Sequence, residues 1–288
     1  MNLTEDSNLY ADDTCIFTKS KSLVDVEVRL NNDMENASTW MKSNKMILNN
    51  AKTKCMVITT KKKSHNLQNK SLDICVDGVA IECVTNEKLL GVEIDNFLTF
   101  NKHISCLASK VSLRILALRR IKHFLPLFAR KLFYNALILP YFEYCINVWS
   151  MCNVTTMERA FRLQKLAARV ILDINNPSSI RSAELFKKLN WLSLPSLARH
   201  RKTLMVFKAL NNSTPSYITD MFSRCTRNTR GQETGLLLLP RTKTERHKRS
   251  FKFSAASSWN DLPVHIRSID HLPTFKSESF NYYMSIDF

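Results

Sequence analysis

The apolar pattern of this 288-residue chain changes period once, near residue 100, and that change limits the folds open to it more than any other feature. Before it, short apolar runs are broken by turn signals. Leu9–Tyr10–Ala11–Asp12–Asp13–Thr14–Cys15–Ile16–Phe17 reads as strand, tight turn, strand. Leu23, Val26, Leu30, Met34, Ala37 and Met41 recur at steps of three and four, which predicts one amphipathic helix over 22–42, with Ser22 and Asp25 at capping-box spacing. Asn49 and Asn50 mark a turn, Lys54–Thr60 reads as a β-branched strand, and Lys61–Lys70 as a polar loop. Leu72–Val76 and Val79–Val84 flank Asp77-Gly78, a strong hairpin signal. Lys88–Asp95 reads as a further strand.

After residue 100 the spacing is helical. Ile104, Leu107, Ala108, Val111 and Ile115 share a face. Pro126, Pro195 and Pro215 suit helix starts, and Pro140 an end or kink. Further helices are expected over 155–173 and 180–190. Residues 223–250 read as a basic loop, densest at Arg241–Arg249, and 251–288 as an aromatic-rich tail with two short helical stretches. Only four glycines are present, which disfavours a Gly-rich phosphate loop or a turn-dense sandwich. A 44% apolar content supports a packed core and excludes wholesale disorder. The fold class expected is α+β, followed by a mostly helical remainder.

The formal charge of +17 is unevenly spread. Residues 1–37 hold eight acids (Glu5, Asp6, Asp12, Asp13, Asp25, Glu27, Asp33, Glu35) against Lys19, Lys21 and Arg29, a balance of −5, which leaves +22 for residues 38–288. An acidic entry and a basic body suggest a metal-binding start and a polyanion-binding remainder; the alternative is a solvated basic surface without a partner. The eight cysteines include no Cys-x-x-Cys pair and no zinc-finger spacing. They read as buried free thiols of a reducing compartment. The first residues contain no apolar run of signal-peptide type, and no apolar run approaches the ~18 residues of a membrane span. An intracellular location, nuclear or cytoplasmic, is expected; the basic run 241–249 reads either as a nuclear signal or as a phosphate-binding loop.

Two adjacent carboxylates on an exposed turn repel each other, which raises a carboxylate pKa, and a divalent cation relieves that repulsion. Paired ions about 3.5–4 Å apart can activate an attacking oxygen and stabilise a leaving one in phosphoryl transfer. Asp-Asp alone is a weak signal, and its bland reading is a surface turn. The ordered series that follows is more specific: Trp40 ending the helix; Asn49-Asn50-Ala51-Lys52-Thr53 leading into Lys54–Ile58; Leu90-Gly91-Val92-Glu93-Ile94-Asp95; Leu98-Thr99-Phe100 with His103-Ile104; Ala136 to Tyr144 with Trp149; Leu163–Arg169; and Trp259-Asn260-Asp261-Leu262-Pro263 with Ile266-Arg267.

With Tyr10-Ala11-Asp12-Asp13 at its head, this series resembles the C-terminal part of LINE-type (non-LTR) retrotransposon reverse transcriptases, over nearly the whole chain. The resemblance implies a partial palm over 1–98, antiparallel strands with one packed helix, then a helical thumb-like region over 99–175 and a helical, basic C-terminal region over 176–288. It implies an RNA-directed DNA polymerase acting on an RNA template and DNA primer with Mg²⁺ and nucleotide substrates, no other small-molecule cofactor and no membrane. Asp12 and Asp13 would be metal ligands and catalytic, and Lys52 a proton donor to pyrophosphate or simply an exposed lysine. Tyr10 would border the primer and nucleotide, and Leu90, Gly91 and Val92 would form the primer grip or an ordinary core strand. Arg114, Arg119, Arg120 and Lys122 would approach template phosphates, as would Arg241, Lys243, Lys248 and Arg249, or these would be solvated faces.

The family also has a further palm aspartate and a nucleotide-selecting helix ahead of the turn, where this chain has only Met1–Leu9. The expectation is therefore a truncated copy or partial gene product with little or no polymerase activity of its own. A second reading is a non-catalytic nucleic-acid-binding remnant, in which Phe251, Phe253 and Trp259 stand among the cations. A third starts from Lys52–Trp149, which resembles a region named for the N-terminal part of an alkylation-repair, tRNA-modifying dioxygenase homologue. None of the seven histidines has an acid two residues on, so the iron ligands of such an oxygenase are not found. There is likewise no Gly-x-Ser-x-Gly elbow of a serine hydrolase.

Overall fold

A computed structural model describes residues 6–66, 72–174, 180–225 and 235–287. The chain divides into two compact units, Met1–Leu98 and Thr99–Phe288. Regions 99–175 and 176–288, expected to be separate, thus share one unit.

In the first unit, β1 (Asp6–Tyr10) and β2 (Asp13–Phe17) pair antiparallel around the Ala11-Asp12 turn. Helix α1 (Leu23–Ser43) follows. The expected capping box does not form: Ser22 makes no side-chain cap bond, and Asp25 instead accepts from the Ser20 hydroxyl at 3.1 Å. The Asp77-Gly78 hairpin forms with β4 (Cys75–Val76) and β5 (Val79–Ala80); Asp77 and Gly78 both have positive φ, as a two-residue turn matching strand twist requires. Side chains of α1 dress the edge of this hairpin. Asn31 donates to the Asp73 carbonyl and accepts from the Cys75 amide, both at 2.9 Å, and Glu27 accepts from the Asp73 amide at 3.1 Å. Lys42 and Ser38 donate to the Asp77 carboxylate at 2.6 and 2.9 Å and, Lys42 foremost, hold its pKa below the usual range. Leu72, Ile74, Val76 and Ile81 form the core under Leu23, Val26, Leu30 and Met34.

Five expectations need correction here. Cys75 is exposed, because strand alternation sends Leu72, Ile74 and Val76 inward and Cys75 outward. Of the strand expected over 54–60, only β3 (Lys54–Cys55) pairs, in parallel with β6 (Glu82–Cys83). Residues Lys61–Asn66 are a short helix, α2, rather than loop, and 67–70 lie outside the described residues. Lys88–Asp95 is not one strand: β7 (Asn86–Leu89) turns at Leu90-Gly91 into β8 (Val92–Asp95). The described strands form four separate two-stranded ladders, one of them parallel, instead of a single antiparallel sheet.

The second unit is helical. Helix α3 (Asn101–Ile121) buries Ile104, Leu107, Val111, Ile115 and Leu118 and packs on α7 (Val154–Ile171). Asn153 caps α7 by accepting from the Thr156 amide at 2.7 Å, and the Thr156 hydroxyl reaches Asn101 of α3 at 2.6 Å. Between them run α4 (Leu127–Leu137), α5 (Leu139–Glu143) and α6 (Ile146–Trp149), with Pro126 at the N-cap of α4 and Pro140 in the first turn of α5. After α8 (Ser182–Leu189), α9 (Leu194–Leu210) runs through the middle of the unit with most of its residues buried, Arg199 and Lys208 being exposed. It contacts α6, α7, α10 (Ser216–Thr219), α12 (Phe251–Asn260) and α14 (Leu272–Asp287). Its N-terminus is held by Ser193, and also by Asp287, which accepts from the Ser193 amide and from the Ser193 and Ser196 hydroxyls at 2.8, 2.9 and 2.7 Å. The basic run expected as loop contains α11 (Glu245–Arg249), capped by Thr244, and the tail holds three helices, α13 (Val264–Arg267) among them.

Candidate nucleic-acid and metal-binding residues

Tyr10 and Asp13 are the last cross-strand pair of the first hairpin, and Asp12 lies between them in the turn. All three side chains are exposed, Tyr10 by 67%. Ala11 has a φ of 53°, a left-handed conformation that costs an L-residue about 1–2 kcal/mol. With the positive φ of the turn confined to Ala11, Asp12 and Asp13, consecutive in the chain, are both exposed at the hairpin tip. Two acids give a divalent ion a foothold rather than a cage, since Mg²⁺ favours six oxygen ligands. Among the described residues, no group of three or more His, Cys, Asp or Glu side chains is placed to hold a metal ion. The described residues therefore do not fit a complete magnesium site.

Lys52 is exposed in a turn organised by Asn49, which accepts from the Lys52 amide through its carbonyl at 3.0 Å and its side-chain oxygen at 3.2 Å. At the tip of the β7–β8 hairpin, Leu90 and Gly91 both have positive φ and are exposed, while Val92 is buried. Leu90 and Gly91 can thus meet a ligand, and Val92 serves the core.

In the second unit, several of the expected phosphate-binding cations are already engaged. The Arg114 guanidinium lies 4.2 Å from the centre of the Tyr141 ring, donates to the Tyr141 hydroxyl, and donates to the Lys110 carbonyl at 2.8 Å. Lys122 is buried and paired with Asp173, whose pKa it holds below the usual carboxylate range. That placement removes Lys122 from the phosphate-binding candidates, because its charge is both desolvated and neutralised. Lys248 pairs with Glu245 one turn away at 2.6 Å, and Arg249 is half-buried. Arg119, Arg120, Arg241 and Lys243 are exposed. Beside Arg119 and Arg120, the exposed rings of Phe124 (85%) and Phe128 (73%) follow in the chain, an apolar feature not singled out from sequence.

The Trp259–Pro263 motif has a packing role. Trp259 is buried against Phe275, its ring nitrogen donating to the Gly235 carbonyl at 3.2 Å. Asn260 bonds both backbone groups of Leu237, at 2.8 and 2.9 Å, as a strand would.

Two curated proteins of Drosophila melanogaster are similar to this chain. A probable RNA-directed DNA polymerase from transposon BS is 26% identical over 186 residues, 63% of this chain and 20% of that protein. A probable RNA-directed DNA polymerase from transposon X-element is 23% identical over 224 residues, 72% of this chain and 23% of that protein. No family model matches, and no solved structure does. The chain is thus a distant relative of transposon RNA-directed DNA polymerases, that is, of reverse transcriptases, and spans about a fifth of the length of the relatives it matches. Among the described residues, no helix is long and apolar enough to cross a membrane.

Proposed function

We propose that this chain is the segment of a non-LTR retrotransposon reverse transcriptase that carries the catalytic hairpin, the primer grip and the thumb, and that by itself it binds nucleic acid without extending a primer. The observation that carries the reading is the Tyr10–Asp13 hairpin, which presents two adjacent carboxylates at an exposed, strained tip. The similarity to the two transposon polymerases supports it. The order of motifs along the chain supports the palm and thumb parts of this reading. Asp12 and Asp13 would supply part of a magnesium site, Tyr10 and the Leu90-Gly91 tip would lie along the primer, and Arg119 and Arg120 would contact phosphates.

The test uses the whole chain and an RNA–DNA primer–template. Primer extension should be undetectable, Mg²⁺ should bind weakly, in about the millimolar range, and Asp12→Asn should remove that binding without altering the melting temperature. Mg²⁺ binding unchanged by Asp12→Asn would remove the polymerase assignment of the hairpin. A second reading, a nucleic-acid-binding module with no polymerase ancestry in its acids, is favoured only by the basic charge. It predicts binding that ignores Asp12→Asn and Mg²⁺ alike. In either case, replacing Arg119 and Arg120 by Gln should flatten the dependence of log affinity on log salt by about 1 to 2.

A further inference from the structure

The pairing of β3 with β6 sets two cysteines opposite each other. Cys55 and Cys83 are partners in the parallel register, so their side chains leave the ladder on the same face. Neighbouring strands lie about 4.8 Å apart, inside the Cα separation of about 4.4–6.8 Å that disulfides span. The register is fixed on both sides: Lys54 pairs with Glu82 at 2.5 Å, and the Val84 amide donates to the Cys55 carbonyl at 2.8 Å. The two thiols are within hydrogen-bond reach of each other. We propose that Cys55 and Cys83 are a modification site, a vicinal thiol pair across two strands that closes to a disulfide under oxidising conditions. The proposal does not depend on the polymerase reading.

The two sulfurs have unequal parts. Burial, and then the hydrogen bond with Cys83, push the Cys55 thiol up to about 12, whereas Cys83 is exposed. Cys83 is therefore the entry thiol. Its thiolate attacks one sulfur of a small disulfide such as oxidised glutathione, whose S–S bond breaks, and one glutathione leaves as its thiol. Cys55 then gives its proton to solvent and attacks the Cys83 sulfur, expelling the second glutathione. Two protein thiols are oxidised by two electrons, and one oxidised glutathione becomes two reduced molecules.

The ring so closed runs from 55 to 83 and contains α2 and the β4–β5 hairpin. The ladder it fastens has only two residue pairs, so a covalent link there restrains the strands more than it would in a long ladder. Cys75, exposed and bonded to Asp73 at 3.6 Å, is an internal comparison without a thiol partner of this kind.

The experiment treats the reduced, folded wild-type chain with oxidised glutathione, blocks remaining thiols with iodoacetamide, and maps peptides without reductant. Cys75 and Cys83 share a tryptic peptide, so fragmentation must separate them. The expected product joins Cys55 to Cys83 and is lighter by two hydrogens than the two free-thiol peptides together. Native protein clipped by trypsin at Lys61–Lys63 should then separate on a gel only after reduction. In Cys55→Ser, Cys83 should stop at the glutathione mixed disulfide. The proposal is overturned if wild-type Cys83 accumulates as that mixed disulfide with Cys55 alkylated, if Cys83 joins another cysteine, or if both stay alkylated while Cys75 is glutathionylated.

Discussion

Lys202 sits in the middle of α9 with only 6% of its surface exposed. Burial pushes its pKa from 10.5 down to about 8; the Cys152 thiol opposes that shift slightly and Arg199 adds to it. At about 1.4 kcal/mol per pKa unit, keeping the ammonium charged inside the fold at neutral pH costs about 3 kcal/mol. Methionine has similar length, no branch and no charge, so Lys202→Met should keep the packing and remove the cost. A gain of that size in a unit of this length corresponds to a melting temperature higher by about 6–12 °C. The pH dependence tests the cause. Between about 8 and 10.5 the unfolded chain holds a proton on Lys202 that the folded chain has released, so wild-type stability rises with pH across that window. Other groups titrate there too, and the informative quantity is the difference between variant and wild type. It should be largest near pH 7 and shrink towards zero by about pH 10.5. Urea titrations at a series of pH values would measure it. A variant no more stable than wild type at neutral pH, with a flat difference curve, would refute the reasoning.

Three further outcomes concern His200, Asp287 and Asp173 of the second unit. Burial holds His200 neutral, with its pKa lowered from 6.5 to about 4, so it contributes stability above pH 6.5 that is lost as the pH falls towards 4. His200→Gln should remove about 3 kcal/mol of that acid slope in urea midpoints. Asp287→Ala removes the acceptor of three hydrogen bonds at the start of α9 and should lower stability by about 2 kcal/mol, measured by chemical denaturation. Asp173, its pKa depressed by Lys122, contributes stability above the ordinary carboxylate pKa that is lost as the pH falls through the depressed value. Lys122→Met should abolish that loss while leaving nucleic-acid affinity unchanged in anisotropy titrations.

The features legible in the sequence were those with a local cause. Asp77-Gly78 announces its hairpin because both residues tolerate positive φ, and Ser193 followed by Pro195 announces the start of α9. The turn at Leu90-Gly91 escaped because leucine carries no turn signature, yet the structure places Leu90 at a φ of 45°. The burial of α9 escaped because His200, Lys202 and Thr203 interrupt any apolar stripe, although all three are inside. Among the candidate site residues, the hairpin tip could be read from Asp12 and Asp13 between apolar strands. The fate of Lys122 could not be, since its partner Asp173 lies 51 residues away. The pairing of Cys55 with Cys83 was hidden for the same reason, their strands being separated by a hairpin and a helix.

A formal charge of +17 invites a broad nucleic-acid interface, but many of these cations already serve the fold. Arg130 donates to the Leu125 and Ile171 carbonyls at 2.8 and 2.9 Å, closing the end of α7. Arg201 pairs with Glu143, Lys165 with Glu158, and Lys122 with Asp173. Of the cations expected to meet phosphate, those exposed and outside the contacts named above are Arg119 and Arg120 in the last turn of α3, and Arg241 and Lys243 ahead of α11. Arginines in a last turn also complement the helix dipole, a structural contribution of about 0.3–1 kcal/mol. The two roles respond differently to substitution. Loss of the dipole contribution lowers the melting temperature and leaves the salt slope of binding alone, whereas loss of a phosphate contact flattens the slope at constant melting temperature. The nucleic-acid reading of α3 therefore stands on the second signature. A charge-neutral variant that melts lower but keeps the wild-type slope would make the exposed arginines a property of the helix.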